Sequence, residues 1–328
     1  MAAISPSAIR SLKIWNWSAA SVHFICFVFF ACWLFIQVKS PFRSATIFRI
    51  GVAPIDTPDQ LKESIDFPAN LRSLFKANIP ILILLFFGFT VVFHVLYASD
   101  FFGAGYYTKF LQQGWNPVRW LEYAISASIM IFIIGTLSGA RDITTLTAFV
   151  TVVAITQGFG FLIEKQFLGY TTAKLNSANA LKALEGSSVL AKGVSSSALA
   201  EWLSTAQSAL STIRSSIFTS TGLAWGLILV STWVPILYQI TEIIRDANAL
   251  DSSVPTWVPI VVVLQLVQFS CFGFVQAWQV DKVAKFLDLP NFAAVEKWYI
   301  LLSFMAKVAL GGFISYGLVQ RQNAAPDA

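Results

Sequence analysis

Seven stretches of about 20 predominantly apolar residues, each long enough to cross the hydrocarbon core of a bilayer as an α-helix, constrain what this chain can become. They run approximately from Trp15 to Val38, Ile79 to Ala98, Pro117 to Ser138, Thr144 to Leu162, Ser220 to Ile240, Val254 to Val280 and Glu296 to Val319. A backbone in lipid must satisfy its own hydrogen bonds. The pattern therefore predicts an all-α membrane protein, a single seven-helix domain over residues 1–328. Composition agrees, since 56% of residues are hydrophobic and only 12% charged, outside the range of ordinary soluble proteins. Arg10 and Lys13 precede the first run as they would a signal peptide. That run is too long for a signal sequence and lacks a clear small-residue cleavage site, so it reads as a retained helix. Pro80 and Pro117 fall at first-turn positions, where a missing amide proton costs little, whereas Pro235 inside the fifth run predicts a kink or an early end.

Basic residues orient the spans. Twelve Lys and Arg residues lie on the side of the N-terminus and nine on the other; without the long first-to-second and fourth-to-fifth connections, seven remain against three. The N-terminus is expected in the cytoplasm and the C-terminus outside. The first long connection, residues 39–78, contains Ala45-Thr-Ile-Phe-Arg-Ile-Gly-Val52, whose β-branched and aromatic content favours a strand. Pro54 and Asp56-Thr57-Pro58 follow as turn formers, so a small extracellular β-hairpin is expected there. The second, residues 170–215, carries Leu199, Trp202, Leu203, Ala206, Leu210 and Ile213 at helical spacing. It reads as a cytoplasmic amphipathic helix or an extension of the fifth helix, with a mobile Gly and Ser-rich portion around Gly186 to Ser197 as the alternative. The net charge of +5 is dispersed over loops without a basic stripe. Membrane lipids rather than nucleic acid are the expected surroundings. Cys26, Cys32 and Cys271 all lie in apolar runs and read as packing residues, not as a disulfide framework or a metal cluster.

Against this background, ionisable residues inside the runs stand out. Lys307 lies near the middle of the seventh, where a cation costs about 2.5 to 3.5 kcal/mol on insertion scales and calls for a partner or a purpose. Snorkelling along the helix is one reading. The other is a desolvated amine prepared to condense with an aldehyde as a Schiff base. Glu122 in the third run is the clearest candidate partner, and Ser126 and Met130 share its helix face at four-residue spacing. At about 1.5 Å per residue, Glu122 stands roughly 7 to 8 Å above its helix start and Lys307 roughly 16 Å above its own, a gap that the lysine stem can largely cover. Arg119, three residues before Glu122, is the competing partner. The chain has two histidines, and both fall inside runs, His23 in the first and His94 in the second. They read either as packing residues or as proton-sharing groups in a polar cavity near Glu122.

The segment Arg119-Trp120-Leu-Glu122-Tyr123-Ala-Ile-Ser126-Ala-Ser128-Ile-Met130 resembles the third-helix signature of the heliorhodopsins, and Ser303-Phe-Met-Ala-Lys307 resembles their seventh-helix attachment motif. The likeness extends over all seven spans, giving a rhodopsin-like bundle. It implies all-trans retinal bound through Lys307 as a protonated Schiff base with Glu122 as counterion. Ser126 and Ser303 would be hydrogen-bonding neighbours, His23 and His94 would match the family's histidines, and the first-loop hairpin would assist a homodimer. The stretch 170–215 is longer than the family leads one to expect. Phe269, Phe272, Phe274 and Trp278 on the sixth helix either wall the polyene or face lipid. Ion pumps of the wider rhodopsin architecture keep a carboxylate one turn before the lysine, where this chain has Ser303, and proton pumps keep another eleven residues after the third-helix acid, where it has Ile133. Lacking both, the chain is expected to be a non-enzymatic light sensor with a cytoplasmic signalling partner rather than a pump. Light-gated passive ion conduction past Glu164 and the histidines is the alternative. A retinal-free transporter or lipid-processing enzyme finds no support in an inverted repeat, a metal-ligand spacing or a phosphate loop.

Overall fold

The computed structural model describes residues 4–36, 44–51, 70–100, 105–185, 196–250, 254–286 and 289–324. Its helices are α1 (Pro6–Ile36), α2 (Ile79–Ser99), α3 (Tyr106–Gln113), α4 (Pro117–Leu137), α5 (Ile143–Glu185), α6 (Ser196–Ile228), α7 (Val234–Ala249), α8 (Trp257–Phe286) and α9 (Leu289–Ala324). Among the described residues, seven helical spans are long and apolar enough to cross a membrane, which makes the chain an integral multi-pass membrane protein. Two of their starts follow directly from local chemistry. Asn78 Oδ1 accepts from the Ile81 amide at 3.2 Å and Asn116 Oδ1 from the Arg119 amide at 3.3 Å, each with a proline in the first turn.

The spans pack in chain order, α1 on α2, α2 on α4, α4 on α5, α5 on α6, α6 on α8, α8 on α9 and α9 back on α1. They thus close into a ring. Its interior is filled by Phe86 and Phe87 of α2, Ile131 and Ile134 of α4, Val261 of α8 and Leu310 of α9, all buried. Lipid replaces water around the ring, so Phe24, Ile25 and Phe29 of α1 and Phe274 of α8 stand exposed at no penalty.

The fifth span does not end at Pro235. A π-helical turn, Leu229–Trp233, separates α6 from α7, and Pro235 falls in the first turn of α7. Widening the turn there suits a residue that lacks an amide proton and would crowd the carbonyl four residues earlier, so the helix continues to Ala249.

Between the fourth and fifth spans, both helices run on past their apolar segments. Ile163, Phe167 and Tyr170 of α5 pack with Leu210, Ile217 and Ala224 of α6 and Val280 of α8. The expected amphipathic stripe is rotated, since Trp202 and Ile213 are exposed while Leu203, Ala206 and Leu210 are partly covered. Residues 186–195, which hold most of the Gly and Ser-rich portion, lie outside the described residues.

In the first connection, β1 (Ser44–Gly51) and β2 (Asn70–Asn78) pair antiparallel, Ser44 opposite Asn78 and Gly51 opposite Asn70, with an irregularity between Ile47 and Phe48. Residues 52–69, including the turn formers Pro54 and Asp56 to Pro58, lie outside the described residues. The short helix α3 went unanticipated. It is tied down by Asp100, which ends α2 in the left-handed region at φ 56°. The Asp100 carboxylate accepts from Lys13 Nζ of α1 at 2.7 Å, and from the Thr108 amide and hydroxyl at 3.1 and 2.7 Å.

Candidate functional site

Lys307 is 2% exposed on the inner face of α9. Its Nζ donates to Ser303 Oγ at 2.8 Å and to Glu122 Oε1 at 3.0 Å. The serine lies one helical turn before the lysine, so its hydroxyl meets the ammonium through ordinary i,i+4 geometry. Glu122 comes from α4 and is 1% exposed; its Oε2 accepts from the Tyr97 hydroxyl of α2 at 3.3 Å. Three helices therefore converge on one buried charge pair. Such a pair persists in lipid because each charge is hydrogen-bonded as well as neutralised, and removing either partner strands the other.

Arg119, the competing partner for Glu122, turns elsewhere. Its Nη2 donates to Glu164 Oε1 of α5 at 2.6 Å and its Nη1 to Glu296 Oε1 of α9. Glu164 also accepts from Trp120 Nε1 at 2.7 Å, the Asn116 amide at 3.1 Å and Gln279 Nε2 at 3.1 Å, while Asn116 Nδ2 donates to Glu296 at 3.2 Å. This second buried cluster ties α4, α5, α8 and α9 together. Glu164 and Glu296 stand at the ends of their predicted runs, where a carboxylate is ordinarily wet, so span-counting alone did not pair them. The available signal was an arginine beginning the third run while acids stood at the corresponding ends of the fourth and seventh.

The histidines occupy the α1 and α2 side of the interior, with rings stacked at 5.5 Å and Phe304 of α9 meeting His23 edge-on. Their hydrogen bonds assign the tautomer. His23 Nδ1 lies 2.7 Å from the Ala19 carbonyl, which only accepts, so Nδ1 carries a proton. Asn16 Nδ2 donates to the Leu12 carbonyl and the Tyr107 hydroxyl, leaving Asn16 Oδ1 to accept from His94 Nδ1 at 2.8 Å. In the neutral rings both Nε2 atoms then hold lone pairs, buried and without a hydrogen-bond partner among the described residues.

Beside Lys307 opens a cavity of about 760 Å³, its mouth included, walled by Tyr123, Met130, Trp225, Phe269, Phe272 and Tyr299 among others. Ser126 and Met130 line it as the face of α4 implied, and Ser303 and Lys307 stand at its α9 wall. Trp278 does not line it; that ring packs against the Trp120, Tyr123, Val295 and Tyr299 cluster one layer away. Two of the four sixth-helix aromatics, Phe269 and Phe272, do line the cavity, and Phe274 faces outward at 62% exposure. Trp225 on α6 was missed, because one tryptophan in an apolar run carries no sign of which way it points. A smaller space bounded by His94, Tyr97, Arg119, Glu122 and Glu296 adjoins the carboxylate, and Tyr123 and Tyr299 line both it and the larger cavity.

A buried amine with a carboxylate partner, opening on an aromatic-lined chamber, fits a covalently held polyene aldehyde. The heliorhodopsin family profile matches residues 12–180 and 199–319. The chain belongs to the heliorhodopsin family. It is thus a rhodopsin-type, retinal-binding membrane protein. The match is interrupted over 181–198, so the departure from the family pattern is narrower than the whole stretch 170–215, and the helical extensions are matched up to residue 180 and again from residue 199. A comparison with curated proteins gave no match.

Proposed function

We propose that this heliorhodopsin is a light sensor in which Lys307 carries all-trans retinal and Glu122 is the counterion. The observation that supports it is the 3.0 Å approach of Lys307 Nζ to Glu122 Oε1 beside an aromatic cavity. Retinal supplies light absorption and isomerisation along its polyene. The protein's part is to hold a proton at Nζ against Glu122 and Ser303 before the event, and to offer it somewhere to go afterwards. Glu122 Oε1 is the nearest carboxylate able to take the proton, the Tyr97 hydroxyl steadies the other oxygen, and the bare Nε2 atoms of His23 and His94 are further acceptors within the interior. Moving one proton among these groups changes the local charge balance, and a packed ring of helices responds by repacking rather than by continuous deformation.

Sensing accounts for the residues better than pumping. Ser303 stands where a second carboxylate would serve a pump, and Ile133 is packed into the apolar core. Passive conduction past Glu164 is disfavoured by its four hydrogen bonds, which hold the carboxylate in place. Retinal-reconstituted protein should show a visible band that bleaches with hydroxylamine, and Lys307→Ala should be colourless. A visible band surviving in that variant sinks the assignment, and a photocurrent under voltage clamp would replace sensing by conduction. With the N-terminus in the cytoplasm, as the basic residues favour, α5 and α6 extend on the cytoplasmic side and form the natural surface for a signalling partner.

A further inference from the structure

The chamber next to Lys307 is lined differently at its far wall. Packed between α1 and α8, α9 does not adjoin α5 or α6 in the ring, so a chain tethered at Nζ that extends along the chamber reaches toward α5, α6 and the adjoining face of α8. Tyr123, Met130, Phe269 and Phe272 flank the way there. That side carries four polar groups, Thr156 and Gln157 of α5, Thr221 of α6 and Gln276 of α8, among apolar neighbours such as Trp225 and Ile228 of α6. Within apolar spans, amides and hydroxyls without full partners are costly, and the ring of retinal is pure hydrocarbon. These four groups have hydrogen-bonding capacity to spare. Thr156 and Thr221 donate to the Val152 and Ile217 carbonyls at 2.8 and 2.9 Å, which leaves their oxygen lone pairs able to accept. Gln276 Nε2 reaches the Gly160 carbonyl only at 3.5 Å, and no described residue hydrogen-bonds the Gln157 amide.

We propose that this wall selects a retinal bearing a hydroxyl on its ring. The inference rests on the retinal reading above and names the form of chromophore the pocket takes. A hydroxyl is the chemistry that fits, because it donates to a glutamine carbonyl or threonine oxygen and accepts from a glutamine amide at once. A ring ketone only accepts, leaving the threonine lone pairs unused. A site that hydrogen-bonds a ligand hydroxyl discriminates against the analogue lacking it, since its own polar groups are then stranded.

Retinal-free protein in micelles, given equal amounts of all-trans-retinal and the same aldehyde hydroxylated on its ring, should take up the hydroxylated form preferentially. About tenfold is expected for two net hydrogen bonds of roughly 0.7 kcal/mol each. Extraction and quantitation of the bound chromophore reads the ratio directly. Gln157→Leu and Gln276→Leu should each bring it toward parity while still forming pigment with unmodified retinal. Thr221→Val, nearly isosteric, provides a milder probe should a glutamine variant fail to fold. Pigment formation with both aldehydes at equal uptake, or a preference indifferent to all three substitutions, overturns the inference and leaves the retinal reading standing. Uptake of unmodified retinal alone likewise overturns the inference only, and failure of both aldehydes to form pigment overturns both readings.

Discussion

The charge pair between α4 and α9 can be weighed by itself, in protein that has not yet met retinal. Lys307 Nζ and Glu122 Oε1 are 3.0 Å apart, and each side chain is 2% exposed. At an effective dielectric of about 20, their direct attraction is roughly 5.5 kcal/mol. Both charges have already lost water on folding, so removing one partner leaves the other unneutralised, at a typical cost of about 3 to 5 kcal/mol. Glu122→Gln and Lys307→Met should each destabilise the retinal-free protein by that order. The double variant, which buries no charge, should be far less destabilised than the two single changes added together, giving a coupling of about 3 kcal/mol or more. In the unfolding equilibrium this is between about two and four powers of ten. Denaturation in mixed micelles, followed through tryptophan fluorescence, measures it. A coupling below about 1 kcal/mol would place the pair in contact with water, or apart, and would refute the reasoning that a lysine at this depth is held by an acid.

Other outcomes follow from the same contacts. Gly160→Ala should destabilise by about 1 to 3 kcal/mol, because the new methyl would overlap the Trp120 ring, which Glu164 anchors through Nε1. Gly158→Ala on the same helix meets nothing within 4 Å and should stabilise by up to about 1 kcal/mol; thermal unfolding of the two variants should move in opposite directions. Burial alone would raise the Asp100 carboxyl, but hydrogen bonds from Lys13 and Thr108 outweigh it and hold it below its ordinary value. A depressed folded value means that its contribution is present above the ordinary aspartate range and is lost as pH falls through the folded value. Protection of the α3 amides against hydrogen exchange, after allowance for the intrinsic pH dependence of exchange, should therefore fall in acid in the native protein. Asp100→Asn should be poorly protected already at neutral pH and show less of that dependence. Arg119→Leu should cost about 3 to 5 kcal/mol by leaving Glu164 and Glu296 without their cation, and Glu296→Gln in that background should recover part of the loss on calorimetry.

Much of this architecture could be read before any coordinates, for a physical reason. Bilayer thickness imposes a length on each span, and the price of an intramembrane charge singles out Lys307 and Glu122 among the ionisable residues. Hydropathy reports where lipid is, however, and not where a helix stops. The fourth run was expected to end at Leu162, but α5 continues to Glu185, carried by Ala, Leu and Lys residues that favour helix in water as well. Orientation about each helix axis was the weaker part. Trp278, Phe274 and Phe269 share α8 and have the same apolar character, and only packing decides which of them sees the cavity. The Arg119 cluster was hidden for a related reason, since its three charged members come from three separate runs and only the closed ring brings them together.

The rods formed by α5 and α6 have a mechanical consequence. From Leu162 to Glu185 is 23 residues of unbroken helix, about 35 Å at 1.5 Å per residue. Pivoted at the depth of Trp120 and Trp225, a lever of that length moves its tip by about 0.6 Å for every degree of tilt. Angular adjustments too small to disturb the seal with lipid would become displacements large enough for another protein to feel.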